Sequence, residues 1–390
     1  MTNNLVTGVP SAADNSVMTQ SVELRTDILT GRQVLIAEDR ANRPNQAQHH
    51  NLETDAEHDP FLLGNEDQTP GERLALRHKD SSPDGPGWLL RVIPNRYPAV
   101  SEHASQIRTA SPLLAVQSAT GVHDVVVECP DGRQRLADLT RVEVARILSA
   151  WQHRARTLLQ RDRIRAVSIF RNEGFEAGAS IAHSHSQIIA SDFVPTQMQQ
   201  RLNVAQAVSH NTGQSVYLEW LQSELRDGRR ILCDDADAGT ATQNSTDTGS
   251  TANFVVLLPF AGRVSWHTRF APAAQSETDF CLLSEADLWQ LAGHIRSVTD
   301  ALEQVAGPVA HNLTLHLPPN ESSTDLPWML DLLPRTGGIA GFELMADTDI
   351  ITLSPETAAE RLRKHLSPPA AKDTFAQDLI CPAGYVWMES

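Results

Sequence analysis

Two histidines two residues apart, His183 and His185, follow a run of small residues and precede a glutamine. The stretch reads Gly174-Phe-Glu-Ala-Gly-Ala-Ser-Ile-Ala-His-Ser-His-Ser-Gln187-Ile-Ile-Ala. On an extended backbone residues two apart share a face, so His183, His185 and Gln187 are expected to point the same way. Gly178, Ala179 and Ser180 would let backbone amides approach an anion. An imidazole beside a phosphate cradle suits nucleophilic attack on phosphorus. A neutral ring is present at pH 7 because its ordinary pKa is about 6.5. Attack through one nitrogen requires the other to hold a proton and donate it, most simply to a backbone carbonyl. A covalent intermediate of this kind splits a transfer into two displacements and predicts ping-pong kinetics. The plainer alternative is a strand whose histidines are only polar surface residues.

The periodicity of the chain supplies the elements that would hold this stretch. Ala166–Asn172 reads as a strand leading into the small-residue loop, and a second strand runs through Ile188 and Ile189. Before them Val144, Ile147, Leu148, Trp151, Ala155, Leu158 and Leu159 recur at threes and fours, the stripe of an amphipathic helix. Further strands are expected at Val34–Ala37, from Trp88 to a Pro94-Asn95 turn, and at Asp124–Cys129, closed by Pro130-Asp131-Gly132. Leu218, Trp220, Leu221 and Leu225 suggest one face of another helix. The second part of the chain repeats the pattern: strands from Phe254 and over Arg263–Phe270, then a helix that Ser284 opens with Asp287 as a capping box. Strands at Asn312–Leu317 and Trp328–Pro334 follow, and Ser354-Pro355-Glu356 opens a helix over Ala358–Leu366. An internal duplication is the simplest account. It is unequal, because Trp328-Met-Leu-Asp331 stands where the first copy has its histidines, so chemistry is assigned to the first copy. The glycine-rich loop Pro334–Glu343 suits the approach of a sugar or phosphate, or is a plain connection.

Composition limits the partners. A net charge of −16 argues against an extended nucleic-acid or anionic-membrane surface. Local arginines such as Arg40 and Arg43 at a strand end still suit a phosphate, or form a solvated basic loop. No apolar run approaches the length of about 18 residues that spans a bilayer, and the first residues do not read as a secretory signal. Cys129, Cys233, Cys281 and Cys381 form no CxxC pair, which points to reduced thiols and a cytoplasmic location. The expected organisation is a disordered arm over 1–20, a first half over 21–195, a second half over 196–366 with a disordered insertion at 234–252, and a tail over 367–390.

Several motifs taken in order resemble the galactose-1-phosphate uridylyltransferase family, a duplicated branch of the histidine-triad superfamily. They are Val34-Leu-Ile-Ala-Glu-Asp-Arg-Ala-Asn-Arg-Pro44, Gly64-Asn-Glu-Asp-Gln-Thr-Pro70, Pro94-Asn-Arg-Tyr-Pro98, Gly178-Ala-Ser-Ile-Ala-His-Ser-His-Ser-Gln187 and Gly338-Ile-Ala-Gly-Phe-Glu343. The resemblance implies an α+β fold of two histidine-triad-like halves, each a mainly antiparallel sheet with a long packing helix. It implies that His185 attacks the α-phosphorus of UDP-glucose and that UMP passes to galactose 1-phosphate. Gln187 and Ser180 then bind phosphoryl oxygens, Arg40, Arg43, Asn95 and Asn172 bind nucleotide and phosphate, and Phe342 and Glu343 reach the hexose from the partner subunit of a homodimer.

The resemblance also implies a structural zinc with His183 among its ligands. Its co-ligand positions are here Asp59, Leu62 and Gly132, and two of these carry no ligating group. A rearranged site using His58 or His123 is the alternative. A second, iron-type site keeps His316 and Asp331 but has Met329 in place of a histidine. A metal-poor or metal-free protein is therefore expected, and the chemistry itself needs no cofactor. Two other functions compete with uridylyl transfer. One is an ADP-sugar or dinucleoside-polyphosphate phosphorylase using the same histidine, and the other is a nucleotide-sugar-binding protein without turnover.

Overall fold

The computed structural model describes residues 22–42, 59–103, 113–114, 116–234, 254–320, 326–367 and 378–389. The expected arm at 1–20 and the insertion at 234–252, apart from Asp234, lie outside the described residues. The first half contributes β1 (Glu23–Thr26), β2 (Gln33–Ile36), β3 (Leu74–His78), β4 (Trp88–Pro94), β5 (Gly121–Val127), α1 (Arg141–Leu159), β6 (Ala166–Glu173) and β7 (His185–Ser191). The second contributes α2 (Thr196–Thr212), α3 (Val216–Asp227), β8 (Ile231–Asp234), β9 (Phe254–Leu257), β10 (Thr268–Pro272), α4 (Glu285–Ala306), β11 (His311–His316) and β12 (Met329–Pro334). Then come α5 (Gly341–Ala346), β13 (Asp349–Ile351), α6 (Pro355–Arg363) and β14 (Tyr385–Glu389).

One 11-stranded sheet runs β14-β3-β4-β5-β7-β6-β11-β12-β10-β9-β8. Read outward from the β6–β11 seam, β7, β5, β4 and β3 on one side match β12, β10, β9 and β8 on the other. The duplication is therefore built into a single continuous sheet. All its pairings are antiparallel. The halves exchange their ends, which departs from the boundaries expected at 21–195 and 367–390. Strands β1 and β2 pair with β13 of the second half, and β14 from the tail closes the edge beside β3.

Both long helices lie on one face of the sheet and pack against each other. Each is opened by a capping box, Thr140 with Glu143 and Ser284 with Asp287, which satisfies amides that the first turn leaves without partners. Where they cross, a Cβ on Gly293 would lie 2.8 Å from the guanidinium carbon of Arg141. That arginine donates to the carbonyl of Trp289 and stacks on its ring. Beneath them Trp151, Leu148, Ile169, Ile188, Leu313 and Leu330 form the main core. Trp151 donates from Nε1 to Ser186 Oγ at 2.8 Å, tying α1 to the lower face of β7.

Several elements differ from expectation. The strand expected over Arg263–Phe270 begins only at Thr268, because the preceding residues turn around Trp266, whose φ is +67°. On α3 the buried stripe is Val216, Tyr217, Trp220 and Leu221, while Leu218 and Leu225 face outward. The helix after Ser354 begins at Pro355 and ends at Arg363, earlier than Leu366. Replacing Trp151 with Phe keeps most of the buried ring but leaves Ser186 Oγ without its donor. The expected loss is roughly 1–3 kcal/mol, seen as a lower urea midpoint at unchanged slope.

Candidate active site

Alternation along β7 sets the site. Ser186, Ile188 and Ala190 point down into the helix layer, so His185 and Gln187 share the opposite face. His183 precedes the strand, and Phe61 packs against its ring as well as that of His185. The role of His183 is carried by its backbone. The carbonyl of His183 lies 2.8 Å from His185 Nδ1. A carbonyl can only accept, so Nδ1 carries the proton and the Nε2 lone pair is left open. Nε2 has no partner among the described residues. Burial is the main reason the His185 ring is held below its ordinary pKa, aided by the positive charge of Arg171 and opposed by Glu128 and the His183 carbonyl. The ring is thus neutral and oriented at pH 7.

Gln187 is fixed by His123, a residue whose part the sequence did not reveal. The backbone amide of Ala99 donates to His123 Nδ1 at 3.0 Å, which places the ring proton on Nε2. Nε2 in turn lies 2.9 Å from Gln187 Oε1. The carboxamide nitrogen of Gln187 is left to donate to a ligand. Asn95 stands beside the same ring, its Nδ2 3.1 Å from His123 Nε2. The cradle is one step later than expected. The amides of Gly178 and Ala179 are already taken by the carbonyls of Phe175 and Gly174. Those of Ser180, Ile181 and Ala182 have no partner among the described residues, nor does the Ser180 hydroxyl.

Asn172 joins this site to a second cleft. Its Oδ1 accepts from Asn312 Nδ2 at 2.8 Å, and Asn312 Oδ1 accepts from Arg335 at 2.6 Å. Arg335, Arg40 and Glu343 line a cleft of about 260 Å³. Phe342, 42% exposed, lies on the outer side of α5. Arg43 lies outside the described residues. The relay through Asn312 and Arg335 carried no sequence signal, because it forms only when β6 and β11 pair across the seam.

The zinc positions implied by the resemblance do converge. A Cβ on Gly132 would lie 3.5 Å from Leu62 Cδ1 and 3.7 Å from Asp59 Oδ2. His183 completes the group, with Nδ1 2.7 Å from Asp59 Oδ2 and Nε2 2.8 Å from the Cys129 carbonyl. Both ring nitrogens face oxygen acceptors, so neither offers a lone pair to a metal. Burial pushes the Cys129 thiol up to about 12, so it is no thiolate ligand either. The residues do not fit zinc. The hydrogen-bonded His183–Asp59 pair fills the space instead, and Phe61 packs against the rings of both His183 and His185. Of the alternative ligands, His123 is engaged with Gln187 and His58 lies outside the described residues. The iron-type site also fails to fit, since Arg269 grips Asp331 with bonds of 2.7 and 2.9 Å. No cluster of three metal-ligating side chains occurs among the described residues.

Burial works against ionisation of Asp59, but the hydrogen bond and charge of His183 outweigh it and hold the carboxyl below its usual range. A depressed carboxylate stabilises the fold above its unfolded pKa of about 3.9 and loses that contribution as pH falls through the folded value. Asp59→Asn should therefore cost roughly 1.5–3 kcal/mol at neutral pH, the usual worth of a charge-assisted hydrogen bond. Urea unfolding of both proteins from pH 7 to pH 3 should show the gap closing below about pH 4.

Comparison with known proteins agrees with this architecture. Residues 13–195 match the model of the galactose-1-phosphate uridyl transferase N-terminal domain. An ADP-glucose phosphorylase from Arabidopsis thaliana is 29% identical over 361 residues, covering 90% of this chain and 95% of that protein. A galactose-1-phosphate uridylyltransferase from Haemophilus influenzae is 24% identical, covering 88% of this chain and 95% of that protein. The crystal structure of the Arabidopsis thaliana ADP-glucose phosphorylase with bound ADP-glucose superposes with a TM-score of 0.70 at 26% identity, covering 89% of this chain and 100% of that one. Residues 13–195 thus carry the galactose-1-phosphate uridyl transferase N-terminal domain, and the whole chain, with its mirrored eleven-stranded sheet, is similar to nucleotidyltransferases of that family.

Proposed function

We propose that the chain moves a nucleoside monophosphate from a nucleotide sugar to an oxyanion acceptor through a covalent bond to His185. The observation that carries this is the open Nε2 of a buried, neutral ring whose Nδ1 is held by the His183 carbonyl. The Nε2 lone pair attacks the phosphorus next to the nucleoside. The bond to the sugar-phosphate oxygen breaks and the sugar 1-phosphate leaves. An oxygen of the acceptor then attacks the same phosphorus, the P–N bond breaks, and the neutral imidazole returns. Nδ1 keeps its proton throughout, and the His183 carbonyl stabilises the charge that builds on the ring. Gln187 Nε2 and the amides of Ser180–Ala182 stand ready as preset donors for the phosphoryl oxygens.

The donor we favour is ADP-glucose with phosphate as acceptor, giving glucose 1-phosphate and ADP. The support is the 29% identity to a phosphorylase acting on that sugar nucleotide, along 95% of its length. Uridylyl transfer from UDP-glucose to galactose 1-phosphate is the second reading, supported by the relatives at 24% identity. In both readings the protein works without a metal, because the His183–Asp59 pair holds the loop. Arg40, Asn95 and Asn172 serve the nucleotide and phosphate, and Glu343 and Phe342 serve the hexose of a partner in a homodimer. The location we infer is the cytoplasm; among the described residues no helix is long and apolar enough to cross a membrane.

Incubation with ADP-glucose or UDP-glucose alone, followed by peptide mass measurement, should find AMP or UMP on His185 and one equivalent of glucose 1-phosphate released. No adduct with either donor sinks the transfer reading in favour of a binding protein without turnover. With both donors and phosphate present, ADP should form faster than UDP. His185→Ala should lower turnover by roughly 10³-fold or more, the scale seen when a covalent nucleophile is lost. Because burial depresses the ring pKa, kcat/KM should stay flat down to about pH 6.5 and fall only below it.

A further inference from the structure

The sheet face that carries His185 continues across the seam and ends, in the second half, at a cavity of about 110 Å³ beside α2. The cavity is the first site repeated in altered chemistry. His123 opposes the residue two beyond Gln187, and His267, just before β10, holds the same place relative to Asp331. The His123–Gln187 contact returns as His267 Nε2 to Asp331 Oδ1 at 3.3 Å. Met329 stands where the register places His185, so this copy has no nucleophile.

Its charges are poorly matched. Arg269 is 2% exposed and spends two hydrogen bonds on Asp331, yet its Nη1 has no partner among the described residues. Arg201 of α2 comes no nearer than 3.7 Å to Asp331 Oδ2 and makes no hydrogen bond among the described residues. The other carboxylate on the cavity, Asp27, has both oxygens committed to its own turn through the Leu29 amide and the Thr30 hydroxyl. Burial, with the charge of Arg269 added, pushes the Arg201 guanidinium down to about 10, which still leaves it charged at pH 7. Asp27 acts on the two guanidiniums only through space, so Arg201 and the Nη1 of Arg269 lack a hydrogen-bonded acceptor among the described residues.

We propose that this cavity binds a tetrahedral oxyanion of the inorganic-phosphate class between Arg201 and the free Nη1 of Arg269. Gln197, Gln200 and Thr314 on its walls supply neutral hydrogen-bond donors. Guanidinium forks match such oxygens in geometry and charge. The volume equals the share of about four waters, enough for phosphate and too small for a hexose phosphate. The bound anion clamps α2 and the β1–β2 turn onto the sheet, and this does not depend on the transfer reaction.

The test is thermal unfolding of the full chain in rising inorganic phosphate, for wild type, Arg201→Met and Arg201→Lys. Wild type should melt higher as phosphate rises, as expected for a ligand bound only to the folded state. Arg201→Met should need at least ten-fold more phosphate for the same shift, and Arg201→Lys should fall between. Without phosphate, Arg201→Met should melt no lower than wild type, since an under-paired buried charge costs stability. Sulfate, which is not a phosphorolysis acceptor, should produce the same shift. An unchanged phosphate shift in Arg201→Met places the anion elsewhere, at the His185 site, and overturns the proposal. So does a wild type insensitive to phosphate whose Arg201→Met variant melts lower, because Arg201 is then only a structural partner of Asp331.

Discussion

The hydrogen bond between His185 Nδ1 and the carbonyl of His183 is the constraint that the rest of the site serves. A ring free to rotate would present either nitrogen, protonated or not. Here one nitrogen is held by a group that can only accept, and the other must be the lone pair. The carbonyl keeps its place because the His183 side chain is pinned on both sides, by Asp59 and by the backbone of Cys129. Beneath the loop, Ser184 donates to Glu128 Oε2 at 2.5 Å and accepts from Arg171 at 2.9 Å. Arg171 is fully buried between Glu128 and Glu173, so its charge is matched where it sits. His185 is oriented by its own neighbours in sequence, and those are held by buried polar contacts from three other segments.

This arrangement shows how His183 is held without a metal. The four positions Asp59, Leu62, Gly132 and His183 still meet in space. A hydrogen-bonded His–Asp pair and apolar contacts can hold a loop as a zinc ion does, if both ring nitrogens find partners and an aromatic ring such as Phe61 closes the side. The second half holds its carboxylate differently. Guanidiniums stand around the carboxylate there, and a positive ligand is excluded by like charge.

The pairing of strands across the seam couples the two copies. His185, Gln187, Asn172, Asn312 and Asp331 come from four neighbouring strands, and alternation puts all of them on the face away from α1 and α4. On the helix face the same strands bury Ile188, Ile169, Leu313 and Leu330. A one-residue slip anywhere in that ladder would move these polar side chains into the core and core residues into the site. The relay from Asn172 through Asn312 to Arg335 then ties the first-half site to the cleft holding Arg40 and Glu343.

What the sequence determined by itself was local. The alternation His185-Ser-Gln187-Ile-Ile, the helical stripe through Trp151, the Ser284 capping box and the repeated order of elements each depend on spacing along a few turns of chain. The unequal repeat could be read the same way, since a histidine cannot be mistaken for Met329. The tertiary structure decided everything that requires two distant segments to meet. That His183 acts through its carbonyl and not its ring depends on Asp59 and Cys129, which are far from it in the chain. His123 fixing Gln187, Asn312 bridging to Arg335, and β14 closing the edge beside β3 are decided by sheet register. The under-paired Arg201 is legible only in space, because the mismatch of a charge depends on which partners burial leaves within reach.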